Sequence, residues 1–161
     1  MAVYFGCVLP EELYFDVERD VWIRFEDDGT ATIGMTDIAQ TRCGKLLYMK
    51  FKPPGKVIAQ GMFAATIESS KWVGPFPMPF TGEIIANNEA GYEKDILLLN
   101  KKPYTDGWLV KVRPTNLEEE RGHLLTGEAA VEAYKARIEE LEVNCLRCLD
   151  DGTLFELDEL G

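Results

Sequence analysis

Short segments in which apolar residues alternate or run together dominate residues 21–113, and Gly, Pro, Asn and Asp separate them. Such segments are typical of β-strands joined by tight turns. The predicted strands cover residues 21–26, 31–35, 46–51, 62–69, 83–86 and 108–113. Because the stretch 76–80 contains prolines, it is expected to be an edge strand or an extended passage. The pattern therefore predicts a mainly β fold, either a sandwich or a flattened barrel.

Two stretches follow a helical period instead. Thr36 can cap a short helix over residues 37–43, which Gly44 ends. Towards the C-terminus the apolar spacing becomes 3, 4, 3, 4 and 3, which predicts a second helix with Thr126 as its cap and Gly152 as its terminator. The stripe of this helix comprises Val131, Tyr134, Ile138, Leu141, Cys145 and Cys148. Residues 153–160 fit either a last short strand or a disordered tail.

The composition indicates a folded, acidic protein. Its 161 residues are 46% apolar and 28% charged, which fits a single domain over 1–161 with its own core. The net charge of −11 argues against a nucleic acid or an anionic membrane as a partner. Residues 117–161 hold thirteen Asp or Glu against four Lys or Arg. This acidic end is a candidate docking surface for a basic partner, and solubility alone explains it equally well.

The first residues lack the basic segment of a signal peptide, and acidic residues arrive by Glu11, so a cytoplasmic location is expected. The apolar runs are also too short to predict a membrane span. In that compartment cysteines are normally reduced. We therefore expect free thiols at Cys7, Cys43, Cys145 and Cys148.

Lys71 is the residue whose surroundings suggest chemistry. It lies in a turn-like stretch between two apolar segments, with Gly61 ten residues before it and Gly82 eleven residues after it. This pattern predicts an exposed amine at the tip of a β-hairpin, where an enzyme can reach and acylate a lysine. Since most lysines only solvate a surface, the spacing alone also permits that simpler interpretation.

Several blocks, in order, resemble the H protein of the glycine cleavage system over roughly residues 14–137. The blocks are Val21-Trp22-Ile23-Arg24, residues 29–40, Gly55-Lys56-Val57, Ile67-Glu68-Ser69-Ser70-Lys71, residues 82–85 and residues 103–112. The resemblance implies a hammerhead-type flattened β-barrel (a barrel-sandwich hybrid) over about 14–115, a C-terminal helical extension over about 116–161, and lipoate linked as an amide to Lys71. It also implies a carrier with no catalysis of its own. Its partners would include a lipoate ligase or lipoyl-assembly enzymes, and dihydrolipoamide dehydrogenase.

Some residues near Lys71 depart from the usual H-protein pattern. Trp72 stands where a small residue usually follows the lysine, Asp20-Val21 replaces His-Glu, and Cys43-Gly44-Lys45 replaces Leu-Gly-Asp. The combination of Gly34-Met35-Thr36-Asp37, Gly44-Lys45 and Ser70-Lys71-Trp72-Val73-Gly74-Pro75 is closer to the lipoate-binding proteins that accompany heterodisulfide-reductase-like sulfur-oxidising complexes. It implies an arm that carries sulfur intermediates for such a complex. The alternatives are aminomethyl transfer between glycine cleavage enzymes, and an unmodified H-like binding module that works through its acidic helix.

The other candidates each have a simple structural alternative. Glu68 can orient a modifying ligase and Trp72 can shelter the dithiolane, or the two can serve only the strand end and the packing. The pair Cys145 and Cys148 fits core packing, which is favoured, or a redox dithiol, or half of a zinc site. His123 is interpreted as a surface residue. The sequence contains no catalytic triad, phosphate loop or paired-carboxylate motif, which favours a carrier over an enzyme.

Overall fold

The computed structural model describes residues 1–149 and 153–156. The described strands pair antiparallel throughout, in one seven-stranded sheet, one three-stranded sheet and two short hairpins. The strands are β1 Ala2–Tyr4, β2 Cys7–Leu9, β3 Tyr14–Asp16, β4 Val21–Phe25, β5 Ala31–Met35, β6 Leu46–Phe51, β7 Val57–Ile58, β8 Phe63–Ser69, β9 Val73–Pro77, β10 Gly82–Asn87, β11 Val110–Pro114, β12 Leu125–Thr126, β13 Leu146–Cys148 and β14 Leu154–Glu156. The helices are α1 Asp37–Cys43, α2 Glu89–Lys94, α3 Leu98–Lys101, α4 Leu117–Glu120 and α5 Gly127–Leu141.

The two larger sheets enclose the main core. Their strand orders are β12-β3-β4-β5-β11-β10-β7 and β6-β8-β9. Side chains from both sheets meet in one buried cluster, for example Ile23 and Val112 from the larger sheet and Phe51, Ile67 and Phe76 from the smaller. Burial of large apolar side chains is the main stabilising term in such a fold. The mainly β prediction is confirmed, but the described strands form open, facing sheets and do not close into a single barrel.

Strand β4 serves two cores because successive side chains on a strand point to opposite faces. Val21 and Ile23 enter the main core, whereas Trp22 enters a second core beneath α5. The indole nitrogen of Trp22 donates a hydrogen bond to the carbonyl oxygen of Pro103 at 2.9 Å. Its cross-strand partner is Gly34, where a Cβ would lie 2.7 Å from the indole. Glycine at this position therefore makes room for the tryptophan.

The first predicted helix is confirmed as α1, with the same bounds as in the sequence analysis. The hydroxyl of Thr36 accepts a hydrogen bond from the backbone N–H of Ala39 at 3.2 Å, which is an N-cap bond. Gly44 follows the helix with a φ of +85°, a conformation that favours glycine. The proline-containing stretch contributes to β9, which is an edge strand of the smaller sheet.

The predicted C-terminal helix is wrong in its extent. Helix α5 ends at Leu141, where Glu142 adopts the left-handed conformation, so Cys145 and Cys148 do not belong to its stripe. Cys148 instead ends β13, which pairs with β14, so a short strand is present in the described part of the tail. Gly152 lies outside the described residues. Thr126 occupies the predicted cap position, but its side chain makes no capping hydrogen bond to the helix. Its hydroxyl instead donates to the carbonyl oxygen of Leu13 at 2.8 Å.

The expectation of four reduced cysteines is also wrong. Cys7 and Cys145 form a disulfide that joins positions 138 residues apart, and both residues are fully buried in the second core. Cys43 and Cys148 are free and buried. No local pattern indicates this pairing, because it depends on how the two ends of the chain meet. Among the described residues, no helix has the length and apolar character needed to cross a membrane.

Candidate functional site

The tip of the β8–β9 hairpin presents Lys71. The backbone N–H of Ser69 donates to the carbonyl oxygen of Trp72 at 2.8 Å, which closes the turn. The Ser69 hydroxyl oxygen also accepts from the N–H groups of Lys71 and Trp72, at 3.2 and 3.0 Å. Lys71 is exposed, and no hydrogen bond or ion pair of its ammonium group occurs within the described residues. The turn therefore holds the backbone while the amine stays in solvent.

The same turn is fastened to the end of α1. The Ser69 hydroxyl donates to the carbonyl oxygen of Cys43 at 2.5 Å, and the N–H of Ser70 donates to the carbonyl oxygen of Lys45 at 3.0 Å. Between these contacts lies Gly44, where a Cβ would come within 3.1 Å of the Lys71 Cε atom. The aliphatic stem of the lysine thus lies over a glycine, and any larger residue there would displace it.

Asn100 is a supporting residue that the sequence analysis missed. It is 2% exposed, and its side-chain amide donates to the carbonyl oxygen of Gly44 at 2.8 Å and to the side chain of Gln40 at 3.1 Å. Its side-chain oxygen accepts from the N–H of Leu46 at 2.9 Å. These contacts fix the loop beneath Lys71. A polar residue that directly follows the apolar run 96–99 was the only sequence signal.

A cleft of about 340 Å³ opens beside the hairpin. Within the described part of the chain, its lining combines apolar side chains with three charged ones: Arg19, Asp20, Met35, Ala39, Arg42, Cys43, Trp72, Pro75, Phe76 and Pro77. The indole of Trp72 is 41% exposed and covers Gly74, at which a Cβ would lie 2.1 Å from the ring. Trp72 therefore packs against its own hairpin and also forms one wall of the cleft.

The charged residues of the cleft differ in how closely a partner of opposite charge approaches them. The carboxylate of Asp20 accepts two hydrogen bonds from the Arg137 guanidinium, both at 3.0 Å. Arg19 pairs with the buried Asp16 at 2.8 Å. Arg42 is 3.9 Å from Asp20 and has a half-exposed side chain. Burial raises the pKa of Asp20 above its ordinary value, although the hydrogen bonds from Arg137 oppose that shift.

Cys43 places a thiol on the same wall of the cleft. Burial raises the pKa of this thiol, and the hydrogen bond with Ser69 and the charge of Lys71 act in the opposite direction. A thiol with a raised pKa is a poor nucleophile, since the thiolate is the reactive form. Cys43 therefore adds a neutral, apolar surface to the cleft.

Two other residues named in the sequence analysis, Glu68 and His123, are both exposed. Glu68 is exposed on the outer face of the smaller sheet, opposite Tyr48 and Val73, and its role in orienting a ligase stays a prediction. His123 is exposed, as predicted, and its ring nitrogen lies 3.1 Å from the carboxylate of Asp16.

The pair Cys145 and Cys148 does not form the redox dithiol or the zinc half-site considered above, because Cys145 is bonded to Cys7. Both residues are buried, as the favoured packing interpretation predicts. Arg147 lies between them and pairs with the fully buried Asp37 at 2.8 Å. The motif therefore anchors the C-terminal part of the chain to α1.

Comparison with known proteins identifies the family. The sequence model of the glycine cleavage H-protein matches residues 13–137. The chain belongs to the glycine cleavage H-protein family. It is 46% identical over 142 residues to glycine cleavage system H protein 2 of Aquifex aeolicus, across 88% of each chain. It is 40% identical over 149 residues to a probable glycine cleavage system H protein 2 of Saccharolobus solfataricus, across 91% of this chain and 99% of that one.

A solved structure agrees with this assignment. The crystal structure of a glycine cleavage system H protein from Mycobacterium marinum matches with a TM-score of 0.66 and 26% identity, and covers 84% of this chain and 100% of that one. Proteins of the H-protein family carry lipoate covalently on a lysine and are carriers, not catalysts.

The residues around Lys71 fit such a group. Its amine is exposed and unpaired within the described range, and its backbone is fixed by Ser69. A lipoyl-lysine has about ten rotatable bonds that each advance roughly 1.3 Å, so its sulfurs would reach on the order of 13 Å from the backbone. Trp72, which follows Lys71 directly, and Cys43 both line the cleft. An arm of this length on Lys71 would therefore reach the nearest wall of the cleft.

Proposed function

We propose that this protein is a lipoyl carrier in which lipoate forms an amide with the side-chain nitrogen of Lys71. The observation that carries the proposal is the geometry of the turn: an exposed lysine amine on a backbone held rigidly by Ser69, at the end of α1. A modifying enzyme needs an amine that is free of partners and fixed in position. The strands on either side supply that position, and the cleft next to it supplies room for a long side chain.

Once bound, lipoate would supply a disulfide that opens to a dithiol and accepts a group from one enzyme for delivery to another. The protein's own contribution is to position this arm. Amide formation removes the positive charge of Lys71 and leaves a flexible chain on a rigid base. Tethering gives the sulfurs an effective concentration of roughly millimolar or more at a docked partner.

The names of the relatives support one cargo, the aminomethyl group of glycine cleavage, with glycine cleavage enzymes as partners. A second cargo is supported by residues beside the lysine. Gly44-Lys45 and Ser70-Lys71-Trp72 belong to the blocks that resemble the lipoate-binding proteins of sulfur-oxidising, heterodisulfide-reductase-like complexes. In such a protein the arm would carry sulfur intermediates.

Intact mass spectrometry tests the carrier proposal. Protein from its native host, or protein treated with a lipoate ligase, should gain about 188 Da, the increment of one lipoyl amide. Lys71→Arg should abolish the gain, whereas Lys45→Arg, which changes a lysine on the adjacent α1–β6 loop, should retain it. An unmodified protein in both samples would contradict the proposal and leave the binding module as the better interpretation.

Reconstitution separates the two cargoes. The lipoylated protein is supplied in place of a known H protein to the glycine cleavage enzymes, and release of carbon dioxide from glycine is measured. Turnover close to that of the known H protein would support the aminomethyl cargo. Lipoylated protein that supports no turnover would favour the sulfur cargo.

A further inference from the structure

We infer that the cleft beside Lys71 selects an anionic group at the end of the arm, and that Arg42 is the specificity-determining residue. The inference rests on the proposed attachment of lipoate to Lys71. It adds the charge class of the cargo, argued from the side chains of the cleft and not from the names of the relatives.

The position of the cleft carries the first step. Cys43 and Trp72 belong to its walls, and they adjoin the two residues that hold Lys71, Gly44 and Ser69. The end of an arm that starts at Lys71 can therefore enter the cleft without any movement of the backbone. Apolar side chains such as Met35 and Phe76 would contact the hydrocarbon part of the arm.

The charge balance carries the second step. Among the wall residues that the structure describes, Asp20 is the one acidic side chain, and two hydrogen bonds from Arg137 already compensate its charge. Arg42 stands at 3.9 Å from the same carboxylate, beyond hydrogen-bond distance, and its ion pairs within residues 1–149 and 153–156 include no closer partner. With 49% of its side chain exposed, the Arg42 guanidinium is free to turn towards a second anion.

Arg19 is the other arginine on the walls, and its charge is already paired, because it donates to Asp16 at 2.8 Å. Among the charged wall residues that the structure describes, Arg19 and Asp20 therefore each have a close partner of opposite charge, whereas Arg42 has none closer than 3.9 Å. Guanidinium groups bind oxyanions through paired N–H donors, and they repel an ammonium group.

This balance separates the two cargoes because their charges are opposite. An aminomethyl group on sulfur is an amine that is protonated near neutral pH. Sulfur in its intermediate oxidation states, bound to a thiol, carries a persulfide or an oxyanion charge. The cleft is therefore complementary to the sulfur class and opposes the aminomethyl class.

The test places arms of known charge on the intact lipoylated protein. The lipoyl disulfide is reduced, and its thiols are alkylated with iodoacetate, iodoacetamide or bromoethylamine. In each reaction a sulfur–carbon bond forms, and halide and a proton leave. The ends of the arm are then negative, neutral or positive. Peptide mass mapping confirms that only the arm is modified.

Quenching of Trp72 fluorescence by acrylamide reports whether the end of the arm lies in the cleft, with Trp72→Phe protein as the background for the other tryptophans. One exposed ion pair changes occupancy by up to about fivefold, so the negative arm should occupy the cleft up to about five times more than the neutral arm. High salt should remove the difference.

Two variants assign the effect to Arg42. Arg42→Gln should reduce protection by the negative arm to that of the neutral arm, whereas Arg42→Lys should retain most of it. Arg113→Gln removes an exposed arginine on β11, away from the cleft, and should change nothing. Equal protection by all three arms, stronger protection by the positive arm, or full protection in Arg42→Gln would each overturn the inference. Absence of the lipoyl increment before alkylation would instead refute the attachment to Lys71.

Discussion

Two parts of the molecule contact the same helix, α1, in different ways. The β8–β9 hairpin reaches the C-terminal end of α1 through Ser69, and its strands pair with neighbours close in sequence. Residues 143–149, here called the C-terminal segment, reach the side of α1 through contacts with residues more than 100 positions away. Leu146 bonds to Gln40 and Thr41 in this way.

The difference shows how each part is stabilised. The hairpin has a regular backbone ladder and a turn that Ser69 closes, so its shape depends on local hydrogen bonds. The C-terminal segment depends on one disulfide and on the buried pair of Asp37 and Arg147. Loss of a single one of these contacts should therefore affect the C-terminal segment more than loss of a single contact affects the hairpin.

The largest expected effect comes from the disulfide. Reduction, or the double change Cys7→Ala and Cys145→Ala, should lower the free energy of unfolding by roughly 4 kcal/mol, because a cross-link over 138 residues restricts the unfolded chain strongly. Urea unfolding with and without a reductant measures it. Cys148→Ala, a free cysteine on the same segment, is the control, and an effect of equal size there would contradict the comparison.

The buried ion pair should have the next largest effect. Arg147→Met leaves the carboxylate of Asp37 fully buried without its cation, which should cost about 3 kcal/mol of unfolding free energy. Hydrogen bonds from Val8 and Gln40, both at 2.8 Å, still stabilise the carboxylate and limit the loss. Urea unfolding is again the measurement. The double change Asp37→Asn with Arg147→Met should recover part of the loss, since no buried charge remains.

A smaller effect is expected in the hairpin. Ser69→Ala removes the hydroxyl that accepts from Lys71 and Trp72 and donates to Cys43, which should cost about 1–2 kcal/mol. The rate of lipoylation by a ligase should fall as well, because the turn would lose its bond to Cys43 and keep only the bond from Ser70 to Lys45. Ser70→Ala, whose backbone bond to Lys45 is retained, should leave both quantities near the wild-type values.

The smallest effect concerns pH. Because burial raises the pKa of Asp20 in the folded protein, the ionised carboxylate costs stability at neutral pH, and this cost disappears as the pH falls through the raised pKa towards the ordinary carboxyl range. Asp20→Asn cannot show this gain on acidification. Asparagine also tolerates the left-handed backbone of position 20, where φ is +57°. Unfolding free energies measured across that pH range should therefore decrease more steeply in the variant than in the wild type, and parallel curves would contradict the assignment.

The local parts of this architecture could be predicted from the sequence. Alternating apolar residues determine most strands of the two larger sheets, and Thr36 and Gly44 determine the ends of α1. The turn that presents Lys71 was also predictable, since its signals lie within a few residues of one another. For the helix ends and the turn, the hydrogen bonds that decide the structure join near neighbours in the chain. For the strands the alternation itself is local, although some ladders, such as β5 with β11, join distant positions.

Tertiary structure alone decided the remainder. The helical spacing of Cys145 and Cys148 continued that of α5, yet the chain leaves the helix at Glu142 so that Cys145 can reach Cys7. The cleft required Arg42 of α1 and Trp72 of the hairpin to come to the same place. Asn100 acquired its role only when α3 packed against α1 and the connection from α1 to β6. Such contacts join residues distant in sequence, so their energies depend on packing that no local pattern encodes.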